Sequence, residues 1–158
     1  MIIDCHGHYT TAPVALKKWR EAQIANLNSP ELGPKASELK ISDDEIRESI
    51  ELNQLARMKE RGIDVTILSP QASFMSHHIG DFNTSATWAA ICNELCYRVT
   101  QLFPEHFVGA AMLPQSPGVD VHTCLPELRK CISEYGFVGF NLNPDPSGGH
   151  WQEPPLGN

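Results

Sequence analysis

The sequence predicts an α/β fold in which parallel strands are covered by outer helices, and three observations lead there. Short Ile/Val/Leu/Phe-rich runs alternate with longer segments of helical period, in the order β, a long excursion, α, β, α, β, α, β. The apolar runs are nearly continuous, as strands covered by helices are. The first run leads into HGHYTTAP, with neither GxGxxG nor GKS/T, which disfavours the nucleotide-binding versions of such a sheet. A doubly wound sheet and a (β/α)8 barrel both fit the alternation.

Each element has its own signal. MIIDCH reads as a short strand. In ALKKWREAQIANL, Leu16, Trp19, Ile24 and Leu27 fall near one face, so a helix is expected. NSPELGPKASELK is rich in Pro, Gly and Ser and reads as a surface loop. SDDEIRESIELNQLARMKERG is a helix: Ser42 and Glu45 form a capping-box pattern, Ile46 and Ile50 start an apolar stripe, and Gly62 suits the C-terminal cap. IDVTILSP follows as a buried strand stopped by Pro70. The segment 84–103 carries Trp88, Ile91, Cys92, Leu95, Cys96, Val99, Leu102 and Phe103 on one helical stripe, and Pro104 ends it. HFVGAAMLP is the third strand. The next helix opens at Ser116 and Pro117 or restarts at Pro126, and closes on Gly136. FVGFNLNP is the fourth strand, and DPSGGHWQEPPLGN reads as loop. A fourth strand with no covering helix after it suggests a sequence cut short.

Composition narrows the function. The chain has 158 residues, the size of one domain, and 41% apolar content, enough for a core. A net charge of −7 without runs of one sign disfavours nucleic acid as a partner. No segment reaches the ~18 apolar residues of a membrane span, and no signal-peptide pattern opens the chain, so a cytoplasmic protein is expected. The five cysteines are odd in number and form no CxxC pair; Cys92, Cys96, Cys124 and Cys131 read as core thiols.

The opening strand carries the chemistry. Side chains alternate along a strand, so His6 and His8 share a face, with Cα atoms roughly 6.5–7 Å apart. Two imidazoles at that separation can converge on one cation. Gly7 keeps the opposite face free of bulk, and Asp4, in phase with both histidines, is placed to buttress an imidazole N–H. The pair ends a first strand, where barrel enzymes build their sites.

MIIDCHGHYTTAP resembles the start of the amidohydrolase superfamily, whose first barrel strand carries an HxH metal pair. RMKERGIDVTILSPQ, FPEHFVGAAMLPQ and GFVGFNLNPDPSGG are similar to its amidohydrolase-related branch, which holds the aminocarboxymuconate-semialdehyde decarboxylase-like enzymes. Together with SPQASFMSHHIGD, the opening is similar to hydratases of that branch in bacterial protocatechuate and gallate breakdown. The resemblance implies that residues 1–158 are the N-terminal half of a (β/α)8 TIM barrel, one domain, cut after strand four. It implies one Zn2+ held by His6 and His8, with the other ligands and the catalytic acid/base beyond residue 158. The implied reaction adds water to the double bond of a small oxo-tricarboxylate, and the implied intact protein is a homo-oligomer. A related decarboxylase or hydrolase, or an inactive metal-binding or assembly fragment, are the alternatives.

Substrate donors are expected on loops after strands. QASFMSHHIGD offers Ser73, Ser76, His77 and His78, which bind an anion or are merely solvated. Asn141 and Asn143, in phase at the end of strand four, face the barrel mouth or form a turn before Pro144. Tyr9 reaches the substrate or packs. His106 precedes a strand and His122 lies on an outer helix, so neither is assigned a role.

Overall fold

The computed structural model describes residues 1–71 and 77–143. Four strands, β1 (Ile3–Tyr9), β2 (Val65–Pro70), β3 (Phe107–Met112) and β4 (Gly139–Asn141), pair in sequence order, and every pair is parallel. Helix α1 (Val14–Ala25) and α2 (residues 43–61) lie between β1 and β2, α3 (Phe82–Leu102) between β2 and β3, and α4 (Leu125–Ser133) between β3 and β4. Parallel neighbours joined by crossovers are the unit that the alternation predicts.

Local chemistry sets the helix ends. The Ser42 hydroxyl accepts from the Glu45 amide, and the Glu45 carboxylate accepts from the Ser42 amide, so the capping box opens α2. Gly62 closes that helix in the left-handed region at φ 65°. Between Asp43–Ile50 and Ala56–Arg61 the helix loosens into a π-helical turn, Glu51–Leu55. Asp81 caps α3 by accepting from the Thr84 amide. The segment after β3 does not start a helix at Ser116. Asp120 instead caps a short 3-10 turn, Val121–Cys124, and α4 begins beside Pro126, whose missing N–H costs nothing in a first turn. The expected loop after α1 contains two 3-10 turns, Pro30–Leu32 and Ala36–Glu38.

One face of the sheet is covered. Leu16 and Trp19 of α1, Ile46, Ile50 and Met58 of α2, and Trp88, Cys96 and Val99 of α3 pack in one cluster with Leu68 and Phe107 of the strands. Burial of such side chains, worth about 1.5–3 kcal/mol each, is the main force holding helices to sheet. A buried amide adds a specific tie: Asn93 of α3 accepts from the Met112 amide at 2.8 Å and donates to the Met112 carbonyl at 2.9 Å. The opposite face is less covered: Ile67 and Val108 are half-buried there, while Ser69, Ala110 and Met112 are buried. Cys5 and His6 of β1 and Phe140 of β4 are exposed.

Candidate metal centre at the end of the first strand

The β1–β2 register slips by one residue. Asp4 pairs with Thr66, but Gly7 pairs with Leu68, so Cys5 and His6 together oppose Ile67. This β-bulge changes the phase of the strand. His8 lies beside Ser69, whereas Asp4 lies beside Thr66 and Gly7 beside the core residue Leu68, on the helix-covered side. Asp4 is therefore out of phase with His8, contrary to simple alternation. Its carboxylate accepts from the His6 main-chain N–H at 3.0 Å and meets neither imidazole. Asp4 fixes the bulge backbone that carries His6.

The two imidazoles meet. Their Nε2 atoms are 3.1 Å apart, with the rings edge-to-face and their centroids 4.7 Å apart. Two nitrogens ~2.0–2.1 Å from one cation would be roughly 2.9 Å apart at a right angle and roughly 3.4 Å at a tetrahedral one. The observed separation lies between, so the pair fits as two neighbouring ligands of a single ion. Among the described residues, no group of three or more His, Cys, Asp or Glu side chains comes together as a metal cage. The residues present supply two ligands.

His8 is held from behind by residues that the motif reading passed over. Its Nδ1 lies 2.8 Å from the Ser69 Oγ and 3.2 Å from the Pro70 carbonyl. Ser69 is buried, and its hydroxyl donates to the Gly7 carbonyl at 3.2 Å. The available signal was positional: ILSP ends β2 at the height where HGH ends β1. An open groove runs along the β1 edge, with His6 and His8 beside Asn53, Gln54 and Arg57 of α2. Thr11, just past β1, donates to the Gln54 side chain at 2.7 Å and fastens the strand end to the π-helical turn.

The other candidates separate. Tyr9 points into the core at 4% exposure, and its hydroxyl bonds Ser49 of α2 at 2.7 Å. Burial pushes its hydroxyl up to about 12, so it is a neutral packing residue, turned away by alternation from the face of His8. His77 is buried, and its Nδ1 lies 3.2 Å from the Ser85 hydroxyl of α3, which also accepts from the Gln115 amide. Burial lowers its pKa, a main-chain hydrogen bond to Gln115 opposes this, and the neighbouring His78 adds to it. His77 thus ties two strand-end loops to α3, while His78 is exposed. Asn141 is half-buried in β4 beside Met112. The main chain of Asn143 pairs at both N–H and C=O with the Gln115 side chain, each at 2.8 Å. Ser73 and Ser76 lie outside the described residues.

Comparison with known proteins places this geometry. The chain is 55% identical over 156 residues to 2-keto-4-carboxy-3-hexenedioate hydratase of a Sphingobium strain, covering 99% of this chain and 45% of that protein. It is 68% identical to the crystal structure of 4-oxalomesaconate hydratase from Rhodopseudomonas palustris, with a TM-score of 0.89, again over 99% of this chain and 45% of that one. A 5-carboxyvanillate decarboxylase from Novosphingobium aromaticivorans, solved with manganese, shares the fold at 16% identity and a TM-score of 0.62, over 95% of this chain and 44% of that one. The chain therefore spans about half the length of the relatives it matches, and its four parallel strands and outer helices correspond to the N-terminal half of a TIM barrel. The sequence matches the amidohydrolase family over residues 3–157, and the chain belongs to that family.

Proposed function

We propose that the protein carrying this chain is a metal-dependent hydratase that adds water to 4-oxalomesaconate. The observation that carries this reading is the convergence of His6 and His8, Nε2 to Nε2 at 3.1 Å, in a chain 68% identical to a hydratase of that substrate. The name of the other hydratase relative describes a double-bond isomer of that molecule: the same six-carbon chain with a ketone and three carboxylates, the double bond lying one position nearer the ketone and conjugated to it. In the proposed reaction a water oxygen bonds to the branch-point alkene carbon, which carries a carboxylate and no hydrogen, and a proton bonds to the other alkene carbon. The product is 4-carboxy-4-hydroxy-2-oxoadipate, with no atom lost.

In this reading His6 and His8 hold one divalent cation, taken to be Zn2+, through their Nε2 atoms. Such an ion, when bound, lowers the pKa of bound water or polarises a carbonyl oxygen. The chain's own residues supply aim. Asp4 holds the main chain of His6, Ser69 and the Pro70 carbonyl hold the ring of His8, and Gly7 lets β1 lie close against β2. Among the described residues, no helix is long and apolar enough to cross a membrane, in line with an enzyme working on a polyanionic metabolite in the cytoplasm.

The test pairs metal content with turnover. Elemental analysis should find about one zinc per chain, lost in the His6→Ala/His8→Ala variant. The ultraviolet absorbance of the carboxylate-conjugated double bond should fall when 4-oxalomesaconate is supplied. Carbon dioxide release from an aromatic acid, without hydration, would assign the protein to the decarboxylases instead. Metal at background in every preparation would sink the metalloenzyme reading.

A further inference from the structure

We propose that Ser69 is a positioning residue that presets the tautomer and aim of His8 for metal capture. The inference rests on the reading of His6 and His8 as metal ligands, and follows from which atoms can donate. The Pro70 carbonyl, 3.2 Å from His8 Nδ1, can only accept, so Nδ1 carries the hydrogen. The Gly7 carbonyl, 3.2 Å from Ser69 Oγ, can also only accept, so the serine hydroxyl donates to it. Ser69 Oγ is then left to accept from His8 Nδ1–H at 2.8 Å, the shortest bond of the set. These roles are mutually consistent. They place the lone pair of His8 on Nε2, the atom that faces His6 at 3.1 Å.

The location makes the device rigid. Ser69 is 3% exposed and stands beside His8 in the β1–β2 register, just past the bulge. Its hydroxyl joins the ring to the main chain of the strand that bears both histidines. Without that hydroxyl, Nδ1–H keeps only the longer contact to Pro70, and the competing tautomer with hydrogen on Nε2 gains population. That tautomer has no lone pair to give a cation. Partners of this kind typically change metal affinity by 10–100-fold.

The experiment compares the full chain with Ser69→Ala, Ser69→Thr and Ser69→Val. Zinc affinity is measured by competition with a chromophoric chelator. The His8 tautomer is read from imidazole 15N shifts of metal-free protein at about pH 8, above the ordinary imidazole range. Histidine variants at 6 and 8 assign the signals. The expected result is Nδ1–H in the wild type, a shift toward Nε2–H in Ser69→Ala, and a 10–100-fold weaker zinc affinity. Thr and Val share a shape and differ by the hydroxyl, so Thr should bind zinc more tightly than Val whatever the added methyl costs. An alanine variant with wild-type affinity and tautomer overturns the proposal. So does a loss of affinity with an unchanged tautomer and Thr equal to Val, which marks packing alone. If the wild type binds no zinc, the metal reading fails; the tautomer comparison still decides whether Ser69 sets the ring.

Discussion

Gly7 sits between two histidines because its backbone must approach β2. A Cβ there would lie 2.2 Å from the Thr66 Cγ2 and 3.0 Å from the Ile67 carbonyl oxygen. Thr66 is buried, so little room exists for it to turn aside. Gly7→Ala is expected to cost about 1–3 kcal/mol, the range of overpacked cores. It should also weaken zinc binding, since β1 must lift where it carries the pair. Urea unfolding and chelator competition on one preparation check both; an alanine variant with unchanged midpoint and affinity would refute the close approach. His77 offers a separate test at the same scale. Its folded pKa is depressed, so the unfolded chain binds more protons once the pH falls below the ordinary histidine value of about 6.5. Stability is therefore flat above that value and falls as the pH drops through the window beneath it. His77→Gln should flatten that part of the curve, as read from thermal midpoints across the acid range. An unchanged slope would mean that another group carries it.

Elements divide by whether their cause is local. The cap at Ser42 and Glu45, the stop at Gly62 and the long stripe of α3 are written in neighbouring residues, and the structure has them where the sequence puts them. The HxH face was legible for the same reason, because alternation is a property of a strand by itself. The bulge at Cys5 and His6 was not, because it exists only against the register of β2, and it moves Asp4 to the other face. The burial of His77 was hidden too: HHIGD looks like a polar loop until it docks on Ser85 and Gln115. Asn93 belongs with these. The helical stripe hides it among apolar neighbours, yet it is fully buried and satisfies both main-chain groups of Met112 at the end of β3. Asn93→Ala leaves two buried main-chain groups unpaired, at about 1–3 kcal/mol each. Its loss should exceed the ~1 kcal/mol expected for removing the Ser42 cap. Denaturant midpoints of the two variants order them, and equal losses would show that water replaces the amide.

At the scale of the whole molecule, the sheet has two free sides among the described residues. Among the described residues, β1 pairs only with β2 and β4 only with β3, so one edge of each end strand presents unpaired N–H and C=O groups. Apolar side chains stand at those edges: Ile3 at 54% exposure on β1, and Val138, Phe140 and Leu142 in and around β4, with Phe140 at 49%. Exposed edges of this kind pair with other strands unless charge or a bulge deters them. The bulge at Cys5 and His6 blunts the middle of β1, but β4 has no charged residue from Phe137 to Asn143. Joining β4 of one copy to β1 of another keeps all strands parallel. Such a contact uses two different surfaces, so it closes only if its rotation allows, and otherwise continues into open chains. The 158-residue chain is therefore expected to self-associate with rising concentration, and Phe140→Lys should weaken that association by charging the most apolar edge. Sedimentation velocity over a hundredfold range of concentration reads both. A monomer throughout would refute the association, and association indifferent to Phe140→Lys and to Ile3→Lys would place the contact elsewhere than the strand edges.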